Sequence, residues 1–81
     1  MNNPTPNNNK LYETRDFYLT CHLSGSGFEI IDLTRHGKIA TFIFNRTPAL
    51  EQAVEEFYAP GKIRDFVHAI RDLRSRLYAN Q

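Results

Sequence analysis

Apolar positions recur along this chain at two periods, one helical and one of strand type. Between Arg15 and Gly25, Phe17 and Cys21 stand four residues apart, as do Leu19 and Leu23, so each pair meets on a helix face. In FEIIDLTRHGKIATFIFN, residues 28–45, two runs rich in β-branched and aromatic residues flank RHGK. Leu50, Ala53, Val54 and Phe57 return to the helical period. From Lys62 to Tyr78 the same period is carried by Ile63, Phe66, Val67, Ile70, Leu73 and Leu77. The pattern predicts an α+β fold with the order helix, β-hairpin, helix, helix. A two-stranded antiparallel sheet is packed by helices in a single small domain over residues 11–81.

Local signals place the element ends. Thr14 reads as the N-cap of the first helix, with Asp16 in its first turn near the positive end of the helix dipole. Gly27 supplies the left-handed residue that closes it, and Phe28 then packs back onto Leu23 as in a Schellman ending. A two-residue His36–Gly37 loop pairs Arg35 with Lys38, Leu33 with Ala40 and Ile31 with Phe42. That register puts Ile31, Leu33, Ala40, Phe42 and Phe44 on one face, and Phe28, Ile30, Ile39 and Ile43 on the other. A solvated hairpin alternates more cleanly, so both faces call for cover. Thr47 caps the next helix with Pro48 at its first position, and Pro60–Gly61 ends it.

Composition narrows what such a fold does. The first ten residues, MNNPTPNNNK, have almost nothing to bury and read as a disordered tail, too polar for a signal peptide. The remainder is near the size at which a single core is only marginally stabilising. The lone Cys21 excludes an internal disulfide, reads as a small buried residue and suits a reducing cytoplasm. No Cys/His set has zinc spacing and the acids follow no metal-loop pattern, so no cofactor is expected. No apolar run is long enough to span a bilayer. Self-association is then the remaining route to extra stability.

Motifs for catalysis fail on their spacing. In SGSG, Ser26 lies directly between glycines at a helix end, unlike a nucleophile elbow after a strand. Gly61–Lys62 lacks the upstream glycine of a phosphate loop and is followed by Ile63 where Ser or Thr belongs. Cys21 and His22 are consecutive, so a helix points them about 100° apart. An enzyme therefore needs a pocket that joins Cys21 to a histidine, and the chain is read as non-enzymatic.

The net charge of +1 does not mark a polyanion binder, but its distribution is uneven. Four of the seven arginines lie between Arg64 and Arg76, and Glu51, Glu55 and Glu56 sit just upstream. On the last helix Arg64, His68, Arg71 and Ser75 fall within about 60° of arc, beside the apolar stripe. Asp72 pairs with Arg76 four residues on, and Arg74 borders the core face. The plainest reading is a solvated face that neutralises the acidic neighbouring helix. The sharper reading is a binding module that contacts nucleic acid or a nucleoprotein complex through Arg64, His68, Arg71, Arg74 and Arg76, with Tyr78 stacking on a base. An acidic protein partner satisfies the same residues. The competing expectation is a homodimeric protein-interaction or inhibitor module that pairs through Ile30, Ile39 and Ile43 on the hairpin.

The segment YETRDFYLTCHLSGSGFEIIDLTRHGKIATFIF resembles an uncharacterised family of small bacterial and phage-associated proteins, described as a domain of unknown function. The matching features are Tyr12, Thr14, Arg15, Asp16, Phe17, Tyr18 and Leu19, then Gly27, then Thr41–Phe44, and RDLRSRLY at Arg71–Tyr78. Thr20 departs from the alanine usual in that family. The resemblance implies an αββαα layout and a microbial or phage setting, and it supplies no activity.

Overall fold

The computed structural model describes residues 10–79, so the tail expected over residues 1–10 lies outside the described residues except for Lys10. The chain runs β1 (Leu11–Thr14), α1 (Phe17–Gly25), β2 (Ile30–His36), β3 (Ile39–Asn45), α2 (Pro48–Tyr58) and α3 (Lys62–Ala79). The helix, hairpin, helix, helix order holds, but the sheet does not have two strands. It has three, all antiparallel, in the order β1-β3-β2. The extra strand is the segment read as the lead-in to the first helix. Tyr12 pairs with Phe44 and Thr14 with Phe42, which makes β3 the central strand and satisfies its second hydrogen-bonding edge. Arg46 locks this strand in place. Its Nε donates to the Leu11 carbonyl at 3.2 Å, its Nη1 meets Glu51 at 3.2 Å, and its guanidinium lies 5.3 Å from the Tyr12 ring centre.

Because Thr14 belongs to β1, α1 begins later than Arg15 and has a different cap. Asp16 is the N-cap, with extended backbone and a carboxylate that accepts from the amides of Tyr18 and Leu19 at 3.0 and 3.1 Å. The Thr14 hydroxyl accepts instead from the Asp16 amide at 3.0 Å, fixing the corner between strand and helix. The other end of α1 follows the expectation. Gly27 has φ 101°, its amide donates to Ser24, and the Phe28 amide donates to Leu23 at 3.0 Å, which is the Schellman bond set. Phe28 packs against the core that contains Leu23.

The hairpin register also differs from the expected one. The two-residue loop is Gly37–Lys38, and the pairs are His36 with Ile39, Arg35 with Ala40 and Leu33 with Phe42. Gly37, with φ 62°, occupies the first loop position, where a primed turn requires positive φ; a histidine there would be strained. Below Leu33 the register shifts again. A bulge between Ile30 and Asp32 pairs Asp32 with Ile43 and Ile30 with Phe44. Ile30 therefore shares a face with Phe44, and the expected grouping of Ile30, Ile39 and Ile43 on one face does not form.

The helices cover the sheet face that carries Phe44 and Phe42. Leu19 and Leu23 of α1, Phe44 of β3, Leu50, Ala53 and Phe57 of α2, and Val67 of α3 form the buried core. The α2 signals act as expected: the Thr47 hydroxyl accepts from the Leu50 amide at 3.1 Å, and Pro48 opens the helix. Thr20 is buried on α1, and its hydroxyl donates to the Asp16 carbonyl at 2.9 Å, so the departure from alanine brings its own partner.

α3 is an 18-residue helix of which Val67 alone is buried. Phe66, Leu73 and Leu77 are 68%, 58% and 66% exposed, so most of the predicted apolar stripe finds no cover among the described residues. The helix packs on the body around Val67, and its later residues run on exposed.

Candidate interaction surface

Two features of α3 compete for a functional role, the basic stripe and the apolar stripe, and the fold treats them differently. The basic stripe turns toward α1. Arg71 lies 3.7 Å from the Asp16 carboxylate and 5.0 Å from the centre of the Tyr18 ring. Arg74 donates to the Tyr18 hydroxyl at 3.1 Å, and Arg76 pairs with Asp72 at 3.1 Å, as its spacing predicted. Arg64, His68 and Arg71 do gather, around a small cleft of about 70 Å³ that Asp16 and Tyr58 also line. The Asp16 carboxylate shares this cleft with them and lies nearest Arg71. Tyr78 is exposed on the last turn, apart from this cleft.

Asp16 is the residue whose role the sequence reading understated. One carboxylate caps α1, accepts the Tyr58 hydroxyl of α2 at 2.7 Å, and faces Arg71 of α3. It joins the three helices through one side chain. Its signal was present in TRDFYL, where an aspartate precedes an apolar run, but Thr14 offered a competing cap two residues earlier.

Tyr58 reports on this junction. Desolvation, followed by its hydrogen bond to Asp16 and the nearby Asp16 charge, raises its pKa far above the usual 10.0. The neutral phenol is therefore held more firmly in the folded chain than in the unfolded one. Its contribution is fully present below pH 10.0 and is lost as the pH rises toward the elevated folded value. Chemical denaturation at a series of pH values above 10.0 should show a decline in stability that Tyr58→Phe reduces. Equal slopes for the two proteins would remove Tyr58 from this role.

The apolar stripe opens to solvent. α1 and the first half of α3 enclose a groove of about 610 Å³, lined by Phe17 and Cys21 on one side and Ile63, Phe66 and Ile70 on the other, with Phe57 and His22 at its base. Cys21 is exposed here, not buried as expected, because the buried ridge of α1 is formed by Leu19, Thr20 and Leu23. Phe17, 58% exposed, continues the surface to Phe42, with ring centres 6.5 Å apart. Cys21 and His22 do share this groove. The His22 ring packs on Phe57 at 5.5 Å, and among the described residues no hydrogen bond links the thiol and the imidazole. No set of His, Cys, Asp and Glu able to hold a metal occurs among the described residues. Nor is any of their helices long and apolar enough to cross a membrane.

Of the three hairpin residues expected to mediate self-association, Ile39 is exposed and Ile43 half-buried on the face away from the helices, while Ile30 lies on the helix-covered side. The apolar surface of α1 and α3 is larger and more continuous than this pair.

Comparison with known proteins gives a family and no activity. No curated protein and no solved structure matches the chain. Residues 9–79 match the family described as a domain of unknown function (DUF5659), and the stretch contains every strand and helix of the fold. The chain therefore belongs to the DUF5659 family.

Proposed function

We propose that this protein is a non-enzymatic interaction module whose working surface is the apolar groove between α1 and α3. The observation that carries this reading is the exposure of the α3 stripe. Ile63, Phe66, Ile70, Leu73 and Leu77 are spaced by alternating steps of three and four residues, the spacing of a seam that receives another helix. Monomeric soluble proteins seldom expose a contiguous apolar surface of this kind without a partner for it. The groove walls are hydrocarbon and aromatic, which suits the capture of an amphipathic helix better than the orientation of a reacting substrate. The seam is flanked by Lys62, Arg74 and Arg76, so a probe helix with acidic residues beside its apolar stripe suits it.

This reading takes precedence over contact with nucleic acid because Arg71, Arg74 and Arg76 already have partners within the chain. A phosphate would have to displace them, and would approach the Asp16 carboxylate. The microbial or phage setting implied by the motif at Tyr12–Leu19 forms part of the same proposal and rests on that motif.

A labelled synthetic helix with leucine at its seam positions and glutamate beside them tests the surface. It should bind the dilute protein, and Leu73→Glu should weaken binding at least tenfold while leaving the circular dichroism spectrum unchanged. Equal binding by the variant, or no binding by the parent chain, would overturn the proposal. Duplex and single-stranded DNA and RNA at low salt should bind weakly or not at all. Tight binding that falls steeply with salt would restore the phosphate reading.

A further inference from the structure

We infer that the natural occupant of the α3 seam is a second copy of this chain, with the two α3 helices lying side by side in parallel. This rests on the reading of the groove as an interaction surface and names its partner. Three observations carry it.

The first is area. Phe17, Ile63, Phe66, Leu73 and Leu77 are between 37% and 68% exposed. Given the size of such side chains, they leave on the order of 600 Å² of apolar surface uncovered per copy. Two copies that cover each other reach roughly 1,200 Å², the lower bound for a specific and stable protein interface.

The second is the pattern of the seam. With Ile63, Ile70 and Leu77 at one repeating position and Phe66 and Leu73 at the other, the alternating steps run the length of α3. The β-branched isoleucines recur at the first position, the arrangement that favours two parallel strands.

The third is charge. The positions flanking the seam are Lys62, Ala69 and Arg76 on one side and Val67 and Arg74 on the other. In a parallel pair Ala69 faces the second copy's Arg74, and Val67, the matching neighbour of Lys62, is held in its own core, so no two like charges meet. An antiparallel pair centred on Ala69 would instead set Lys62 against Arg76 at both ends. A small body with seven buried apolar residues among those described gains from such pairing the stability that its own core supplies only in part.

Light scattering and sedimentation of the whole chain, from low to high micromolar concentration, provide the test. The mass should rise from the 9.4 kDa of one chain to twice that value. Leu73→Glu with Leu77→Glu should hold the mass at one chain with an unchanged circular dichroism spectrum. Both residues are more than half exposed, so the monomer fold does not depend on them. A Leu77→Cys variant in a Cys21→Ser background reports the alignment. In parallel helices the two introduced thiols are neighbours and oxidise to a covalent dimer. In the antiparallel pair they lie about 24 Å apart and do not. A dimer without that disulfide overturns the parallel pairing. A dimer that survives the two glutamates but is dissociated by Ile39→Asp with Ile43→Asp overturns the α3 interface in favour of the sheet. A chain that stays monomeric and still binds the glutamate-flanked helix overturns self-association and leaves the interaction surface standing. A monomer that binds neither removes both readings.

Discussion

Phe44→Ala is expected to cost about 3–5 kcal/mol, enough to leave this chain largely unfolded in the absence of denaturant. Phe44 is fully buried on the central strand, between the partners Tyr12 of β1 and Ile30 of β2. It belongs to the one core that also holds Leu19, Leu23, Leu50 and Phe57. Truncation removes the transfer free energy of the ring and leaves a cavity that a three-stranded sheet under three helices can only partly close. Domains of this length rarely hold more than about 3–5 kcal/mol in total. The contrasting variant is Phe66→Ala. It removes the same ring from a site that is 68% exposed, and in dilute protein it should change stability by no more than about 0.5 kcal/mol. Urea denaturation of dilute protein checks both. Similar costs for the two substitutions would mean that the apolar face of α3 belongs to the monomer core.

The second large effect belongs to Asp16. Asp16→Ala should cost about 2–3 kcal/mol, because one substitution removes the α1 cap and the acceptor for Tyr58. The pair with Arg71 adds little, since the guanidinium is about half exposed and 3.7 Å away. Asp16→Asn separates these contributions. The amide oxygen caps a helix nearly as well as a carboxylate, so this variant should lie within about 1 kcal/mol of the parent chain. Thermal and urea unfolding of the three proteins, read by helical circular dichroism, would decide the matter. If alanine costs no more than asparagine, the capping role of Asp16 fails and the junction of the three helices has another basis.

Much of the architecture could be read because its signals are local. The ending of α1 at Gly27 and Phe28, the Thr47–Pro48 start of α2, and the extent of α3 each depend on residues within a turn of one another. Such features form wherever the residues occur, since caps and Schellman bonds satisfy backbone groups at the helix end itself. The ion pair of Asp72 with Arg76 is of the same kind. What was misread depends on residues distant in sequence. β1 is four residues long, too short to show a period, and it exists because β3 offers an unpaired edge about thirty residues further on. Assigning Thr14 to that strand moves the cap to Asp16. A one-residue choice of loop, settled by the need for positive φ at Gly37, resets every pair in the hairpin, and the bulge near Ile31 then carries Ile30 to the other face.

The candidate site divides along the same line. The alternating three- and four-residue spacing of Ile63, Phe66, Ile70, Leu73 and Leu77 is a property of the sequence, and so is the arginine stripe beside it. Spacing shows that α3 has an apolar face, but burial depends on what the rest of the chain places against that face. Here α1 and α2 reach Val67 and part of Ile70 and no farther, while Asp16 and Tyr18 engage Arg71 and Arg74. The existence of the three helices, the Thr47–Pro48 start of α2, the ending of α1 and the amphipathic character of α3 were legible in the residue pattern, because these follow from contacts within a few residues. That Asp16 and Tyr18 engage Arg71 and Arg74 at the surface while the apolar stripe stays open was settled by the tertiary packing, because those outcomes depend on how far three short elements can cover a fourth that is longer than they are.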